Sequence, residues 1–284
     1  MNRTLLIGGT GTVGRQVLFQ LLERGTSARV LTRRPEDARF PIGVEVVCGD
    51  LTRPETLDMC LDGIDAVFLV WVAPADAAAP AIERIARHAR RVVFLSAPLK
   101  TAHPLFQQPN PARTLGLQIE ERIEASALQW TFLRPGMFAA NARFWWAPQI
   151  RAGKAVRWPY LGVPTAPIDE RDIAAVAVRA LCEDGHAGAE YVLTGPQSLS
   201  QSEQLSIIRQ AAGRAFEIEE ISADEARREL LTIMPPPVIN MLLNAWAAAD
   251  GQPAVVTSTV EEITGTPART FHKWATDHAV EFAP

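Results

Sequence analysis

Three glycines recur at every third position close to the start of the chain. Gly8, Gly11 and Gly14 follow the apolar run at 4–7 and precede an amphipathic stretch. This order of strand, turn and helix is typical of the diphosphate seat of a dinucleotide-binding fold, because the glycines let the backbone approach the phosphates and a helix N-terminus attracts an anion. The alternative is that these glycines only form a tight turn.

Further apolar runs alternate with helical stretches and predict a parallel sheet. Continuous apolar character is typical of strands that are buried on both faces, and helices usually connect such strands. We therefore expect an α/β fold, a Rossmann-type doubly wound parallel sheet, with its ligand at the carboxyl ends of the strands. The expected strands are residues 4–7, 28–32, 44–48, 66–70, 92–95, 130–133 and 190–193.

The pattern changes after residue 134, where proline and aromatic residues become frequent. We expect an NAD(P)-binding Rossmann core over residues 1–134. Residues 135–284 are expected to form a smaller, mainly helical region that covers the substrate and returns the strand at 190–193 to the main sheet.

Capping patterns predict where several helices begin. Ser200 and Ser222 each precede a glutamate by three positions, which is the pattern of a capping box, and a similar box is expected at 52–55. Thr266 before Pro267 predicts the N-terminus of the last helix. The other expected helices include residues 115–126 and 169–181.

Composition excludes several classes of function. The 284 residues are 48% apolar, and a net charge of −4 gives no reason to expect nucleic acid or an anionic membrane as a partner. The chain begins with an apolar strand and has no long apolar run, so a cytoplasmic location is expected. Histidines and cysteines lack metal-ligand spacing, so no metal site is expected. The cysteines Cys48, Cys60 and Cys182 are expected to be reduced core residues.

Two arginines at the end of the second expected strand bear on the cofactor. An NAD site places a carboxylate there, whereas an NADP site places arginine near the 2′-phosphate. Arg33 and Arg34 therefore predict NADP(H) in preference to NAD(H), unless both are ordinary solvated surface residues. Asp50 follows the third strand, where it would either accept a hydrogen bond from adenine or cap a helix.

Several segments resemble the NmrA-like branch of atypical short-chain dehydrogenases. Within that branch, the second half is most similar to reductases of the festuclavine synthase and agroclavine dehydrogenase type. The resemblance covers nearly the whole chain and rests on residues 8–14, 31–36, 49–51, 130–138, 172–177 and 191–196.

The resemblance implies a cofactor site along the carboxyl ends of the first strands. It would hold the diphosphate on the glycine turn, the 2′-phosphate on the arginines and the nicotinamide beyond the fourth to sixth strands. The implied residues are Gly8, Thr10, Gly11, Thr12, Val13, Gly14, Arg33, Arg34, Asp50, Leu51, Val70, Trp71, Val72, Ser96, Pro135, Gly136 and Met137.

The proton-transferring dyad of most short-chain dehydrogenases has no counterpart here. That dyad is a tyrosine followed four residues later by a lysine that lowers the tyrosine pKa. The resemblance aligns these positions with Ala112 and Gly116, neither of which moves a proton. The catalytic residues are therefore unknown, and the candidates that remain are Ser96, Asn141, Tyr160, Lys100 and His103.

Aromatic residues in the second half predict a pocket for a flat apolar molecule, although each one is equally consistent with an ordinary core position. The expected substrate contacts are Trp71, Phe138, Asn141, Trp145, Trp146 and Tyr160, with Trp246 as an addition. Glu120, Glu121 and Glu124 are expected to form a solvated helix face.

Two functions are consistent with these features. The first is an NADPH-dependent reductase that passes hydride to a small, flat, aromatic or polycyclic acceptor, of iminium, enone or quinone type, which needs no Tyr/Lys acid. The second is an NmrA-like regulator that senses NAD(P) and binds a protein partner without turnover. In either case we expect a monomer or a homodimer.

Overall fold

A seven-stranded parallel sheet forms the centre of the molecule. The computed structural model describes residues 3–109 and 111–283. The strands of the sheet are β1 Arg3–Ile7, β2 Ser27–Thr32, β3 Glu45–Cys48, β4 Ala66–Leu69, β5 Arg91–Leu95, β6 Gln129–Pro135 and β9 Ala189–Leu193. They follow the order β3-β2-β1-β4-β5-β6-β9, with parallel pairing throughout. The prediction of a Rossmann-type α/β fold is confirmed, and the order reverses between β1 and β4, where such folds bind ligands.

Helices cover the sheet and build the rest of the molecule. No helix within the described ranges is long and apolar enough to span a membrane. The helices are α1 Thr12–Glu23, α2 Leu57–Leu61, α3 Ala78–His88, α4 Pro104–Gln107, α5 Pro111–Glu124, α6 Asn141–Trp145, α7 Ala147–Arg151, α8 Glu170–Cys182, α9 Gln201–Ala211, α10 Ala223–Leu230, α11 Pro236–Ala249, α12 Thr259–Thr264 and α13 Phe271–Asp277. Two short strand pairs complete it: β7 Val156–Trp158 with β11 Ile218–Glu220, and β8 Pro164–Thr165 with β10 Leu199–Ser200.

Both faces of the sheet are buried, which explains the continuous apolar runs. Successive side chains of a strand point to opposite faces. Leu5 accordingly packs with α2, α3 and α5, whereas its neighbour Leu6 packs with α1 and α8 on the other face. The helix α8 and the strand β9 lie beyond residue 134 in the chain, yet they belong to the layers of this sheet.

Besides the two cores on the faces of the sheet, a third core lies beyond the carboxyl ends of β5 and β6. It is built from the helices and short strands after residue 135 and centres on the fully buried Trp146, Trp158, Trp246 and Trp274. Trp145 packs edge-to-face against Trp246, with ring centroids 5.6 Å apart. This core forms one wall of the large cavity described below.

Of the four helix starts predicted from capping patterns, two are correct. Ser200 and Ser222 form the expected capping boxes with Glu203 and Glu225. The box at 52–55 is wrong, because the Thr52 hydroxyl donates to Asp50 instead of capping a helix.

The predicted start at Thr266 and Pro267 is also wrong. The helix α12 ends before these residues at Thr264, and its C-cap Gly265 has the left-handed conformation favoured at a helix C-terminus. The helix α13 begins after them at Phe271, and the Thr270 hydroxyl caps it.

Candidate functional site

The glycine turn after β1 holds the N-terminus of α1 close to the sheet. Gly8 has φ +96°, a conformation that favours glycine, and its carbonyl oxygen accepts the N–H of Gly11 at 3.0 Å. A Cβ at Gly14 would lie 2.2 Å from that same oxygen, so only glycine allows the helix this close. Gly11 is the N-cap of α1, and no side chain of the described residues caps it. Backbone N–H groups at this end therefore fit a diphosphate.

An arginine-rich hollow lies beside the turn, at the carboxyl end of β2. Its volume is about 400 Å³, and Arg33 and Arg34 both line it. Arg34 is exposed and lies 3.8 Å from Asp37. The hollow fits the 2′-phosphate of NADP, since guanidinium groups pair well with phosphate oxygens.

Arg15 is a third arginine of this hollow that the sequence reasoning missed. Its Nε donates to the carbonyl oxygen of Thr10 at 3.1 Å, and its guanidinium lies 5.5 Å from the ring centre of Phe40. These contacts hold the charge in place. The signal was present in the sequence, because Arg15 directly follows the third glycine.

Asp50 does not cap a helix, because its carboxylate is bound within the turn that follows β3. Its Oδ1 accepts the backbone N–H of Thr52 at 2.9 Å and the Thr52 hydroxyl at 2.8 Å. These hydrogen bonds, led by the backbone one, hold the pKa of Asp50 below its ordinary value. Leu51 is buried in the core beneath it. An adenine contact at either residue stays a prediction.

The residues after β4 occupy different environments. Val70 packs on the glycine turn, since a Cβ at Gly8 would meet its Cβ at 2.7 Å. Trp71 is half-buried, and its Nε1 donates to the carbonyl oxygen of Ala73 at 2.6 Å. Val72 is 75% exposed. None of the three lines the large cavity. Contact of Trp71 with a substrate or a cofactor stays a prediction.

An apolar cavity of about 500 Å³ opens at the carboxyl ends of β5 and β6. Ser96 and the Pro135–Met137 segment, expected near a nicotinamide, line it, as do the expected substrate contacts Phe138, Asn141 and Trp145. Most of the remaining wall comes from α11 and from the segment before α5. Those residues are Ala97, Pro98, Leu99, Leu105, Phe106, Gln108, Arg113, Met234, Val238, Met241, Leu242, Ala245 and Trp246.

Two expected substrate contacts lie outside this cavity wall. Trp146 is fully buried in the third core, where it packs against Trp158 at 6.0 Å between ring centres. Tyr160 sits at a turn with φ +53°, and Gln201 donates to its carbonyl oxygen. This cavity does not support a substrate contact at either residue, because aromatic residues of this region fill its core as well as its cavity, and both contacts stay predictions.

The further candidates Lys100 and His103 also lie outside the wall. Lys100 pairs on the surface with Glu190 at 3.0 Å. His103 caps α4 through the N–H of Leu105, and its other ring nitrogen contacts the carbonyl oxygen of Pro253. These partners account for both side chains.

Ser96 is the point where the cavity meets a buried ionic network. Its hydroxyl donates to Glu120 at 2.7 Å, and Glu120 binds Arg134 through both carboxylate oxygens. Burial lowers the pKa of Arg134, but its contacts with Glu120 and Glu190 outweigh this and raise it overall. Because the Ser96 hydroxyl uses its hydrogen in the bond to Glu120, its oxygen is left mainly as a hydrogen-bond acceptor toward the cavity.

The expectation of a solvated face at 120, 121 and 124 is wrong for Glu120, which is 1% exposed. Glu121 and Glu124 are exposed as expected. The strand β6 places Arg134 against the inner side of α5. Glu120 lies on that side and therefore forms an ion pair with Arg134.

A side chain at the position aligned with the dyad lysine would press on the cavity wall. A Cβ at Gly116 would lie 3.0 Å from a methyl group of Leu99, which lines the cavity. The side chain of Ala112, aligned with the tyrosine, lies outside the described residues. Within the described wall of the cavity, the one ionisable side chain is Arg113.

The fold and this site define a dinucleotide-binding protein of the Rossmann type. Residues 8–184 match the family model described as NAD(P)H-binding, and the chain belongs to this family. It is an NAD(P)H-dependent oxidoreductase, and at the family level the NmrA-like assignment is confirmed. These matches do not single out the festuclavine synthase type.

Two curated relatives span the whole chain. One is the (4-alkanoyl-5-oxo-2,5-dihydrofuran-3-yl)methyl phosphate reductase of Streptomyces griseus, which is 39% identical and covers 99% of both chains. Another is the NAD(P)H azoreductase of Xenophilus azovorans, 34% identical over 98% of both.

Solved structures share the fold at low sequence identity. An NADPH-dependent quinone oxidoreductase of Escherichia coli has a TM-score of 0.80 at 19% identity, covering 97% of this chain and 98% of that one. The triphenylmethane reductase of Citrobacter sp., solved with NADP(H), has a TM-score of 0.79 at 17% identity, covering 98% and 100%.

Proposed function

We propose that the protein is an NADPH-dependent reductase of a flat, apolar, electron-poor small molecule, with a conjugated enone as the first substrate class. The observation that carries this proposal is the apolar cavity of about 500 Å³ at the carboxyl ends of β5 and β6. The names of the two curated relatives support it, because both denote reductases of conjugated acceptors.

NADP(H) fits the residues present. The uncapped N-terminus of α1 suits the diphosphate, and Arg15, Arg33 and Arg34 suit the 2′-phosphate. When bound, this cofactor supplies a hydride at the nicotinamide C4. We further propose that Ser96 and Gly136 lie beside the nicotinamide, since both follow strands that end at the cavity.

The chain's own contribution is orientation and exclusion of water. Phe138 and Trp145 would hold a flat ring so that the acceptor carbon lies within about 3 to 3.5 Å of the hydride donor carbon. The apolar wall of the cavity would exclude water from the reacting atoms. The amide of Asn141 would donate to the acceptor carbonyl, where negative charge develops as hydride adds to the β carbon. The resulting enolate takes its proton from water, so no enzymic acid is needed.

Turnover with a set of acceptors tests this proposal. NADPH absorbance would be followed with the butenolide phosphate named for the Streptomyces relative, an azo dye, a quinone and a cyclic iminium. We expect NADPH to be consumed with the enone fastest, and Asn141→Ala to lower kcat. Tight NADPH binding without consumption in any of the four reactions would contradict the proposal and favour a sensor.

A further inference from the structure

The hydroxyl of Ser96 is a polar group in a mostly apolar part of the cavity wall. The residue directly follows β5, and its backbone N–H donates to the carbonyl oxygen of Leu133 in β6 at 2.8 Å. The pairing of the two strands therefore continues to this point, and it holds the serine at a fixed place where the cavity begins.

The hydrogen of this hydroxyl is committed to Glu120. Ser96 Oγ lies 2.7 Å from Oε1 of Glu120, and the carboxylate of an ion pair has no hydrogen to give, so the serine is the donor. Glu120 is 1% exposed, and Arg134 donates to its Oε1 at 3.1 Å through Nε and to its Oε2 at 2.6 Å through Nη2. Buried contacts, and not solvent, thus set the direction of the serine hydrogen bond.

Ser96 consequently offers an acceptor to a bound molecule. A serine hydroxyl has one hydrogen and two lone pairs, and only the lone pairs remain for a ligand here. A polar atom in apolar surroundings costs free energy unless it is hydrogen-bonded. A tie between β5 and α5 would need the donor alone, whereas an acceptor toward the cavity suits a ligand that carries an N–H or O–H group.

The nicotinamide end of the cofactor carries such a group. NADP(H) has N–H donors on the amino group of its adenine and on the carboxamide of its nicotinamide. The arginine-rich hollow proposed for the 2′-phosphate of the adenosine lies at β2, and β1 and β4 separate that strand from β5 in the sheet. The carboxamide is therefore the donor that we expect at Ser96.

We propose that Ser96 accepts a hydrogen bond from the nicotinamide carboxamide and that Glu120 is the positioning residue that fixes Ser96 as an acceptor. This inference rests on the proposed function. An amide held at Ser96 would limit the rotation of the nicotinamide ring, so that one face of the ring is presented to the substrate.

A binding experiment without turnover tests this contact. The protein would be titrated calorimetrically with NADP⁺ and with its 3-acetylpyridine analogue, in which a methyl group replaces the amide nitrogen. The two ligands have the same charge and nearly the same size, but only NADP⁺ has the N–H donor of the amide. We expect the wild type to bind NADP⁺ about fivefold or more tightly, since the analogue loses one hydrogen bond.

Variants separate the contact from the fold. Ser96→Ala should bring the ratio of the two dissociation constants close to one, because it removes the acceptor. Glu120→Gln should lower the ratio as well, because a side-chain amide can give a hydrogen to the serine oxygen and release the serine hydrogen toward the cavity. Glu121→Gln is the matched control, because it makes the same change at the exposed neighbour on the same helix and should keep the wild-type ratio.

The ratio separates positioning from stability, because a merely destabilised protein binds both ligands less tightly by the same factor. A wild type that binds both ligands equally, or a folded Ser96→Ala protein that keeps the preference, would overturn the carboxamide contact. A folded Glu120→Gln protein with the wild-type ratio would overturn the positioning role of Glu120. Failure of NADP⁺ to bind to the wild type would instead overturn the proposed function.

Discussion

At the scale of single residues, we proposed that three arginines favour NADPH over NADH. Arg33→Ala should weaken NADPH binding about tenfold or more and leave NADH binding nearly unchanged, because only NADPH has a 2′-phosphate for the guanidinium to bind. Calorimetric titration measures both constants. Arg39→Ala is the control, since this neighbouring arginine does not line the hollow. An equal loss for the two cofactors would remove the 2′-phosphate assignment.

Two glycines of the same turn have different roles. A Cβ at Gly11 meets only the Gly8 carbonyl oxygen at 3.4 Å, whereas one at Gly14 would clash with backbone at 2.2 Å. We expect Gly11→Leu to keep its melting temperature but lose dinucleotide binding, because the side chain would occupy the phosphate seat. Gly14→Ala should lower the melting temperature. Normal NADPH binding by Gly11→Leu would contradict the placement of the diphosphate.

Residue roles that depend on tertiary contacts were not predictable. The spacing of Gly8, Gly11 and Gly14 is local, and its interpretation needed only the flanking pattern. Glu120, in contrast, has the same local setting as Glu121. Its partners Ser96 and Arg134 come from two separate strands.

At the scale of elements, the buried network ties α5 to β5 and β6. Glu120→Gln should lower the free energy of unfolding by about 3 kcal/mol, because it leaves the buried Arg134 without one of its two carboxylates. Denaturant unfolding measures the change. Glu121→Gln on the exposed side should change the same free energy by less than about 0.5 kcal/mol. Equal stability of the two variants would show that the network does not stabilise the fold.

The outer member of this network predicts a dependence on pH. Burial raises the pKa of Glu190, but hydrogen bonds from Lys100 and Arg134 outweigh it and hold the pKa below its ordinary 4.5. The ionised group therefore stabilises the fold above its unfolded pKa, and this contribution is lost as pH falls through the folded value. Glu190→Gln should flatten the fall in unfolding free energy as the pH drops below about 4.5. A parallel fall in both proteins would contradict this.

Elements with a strong local signal were the predictable ones. Buried strands such as β4 are visible in the sequence as continuous apolar runs. The capping boxes of Ser200 and Ser222 predict where α9 and α10 begin. No element was expected at 236–249, where two prolines open α11 and the helix has apolar residues on most of its faces. This helix packs into the third core and lines the cavity, and those tertiary contacts, which no local pattern encodes, stabilise it.

At the scale of the whole molecule, the parallel sheet carries a second region that is built mostly from residues after 135. The parallel order of strands fixes where their carboxyl ends meet, and the third core places an apolar wall over two of those ends. The division into a cofactor-binding core over residues 1–134 and a substrate-covering region over 135–284 stays a prediction. The sequence reasoning did not anticipate which aromatic residues face the cavity, because burial alone does not separate Trp145 from Trp146.

The measurement that tests this account most directly is a crystal structure of the protein with NADP⁺. The account predicts the diphosphate on the N–H groups at the start of α1, the 2′-phosphate among Arg15, Arg33 and Arg34, and the nicotinamide beside Ser96 at the mouth of the apolar cavity. A nicotinamide that points away from that cavity, or protein that binds no dinucleotide in the crystal and in solution, would contradict it.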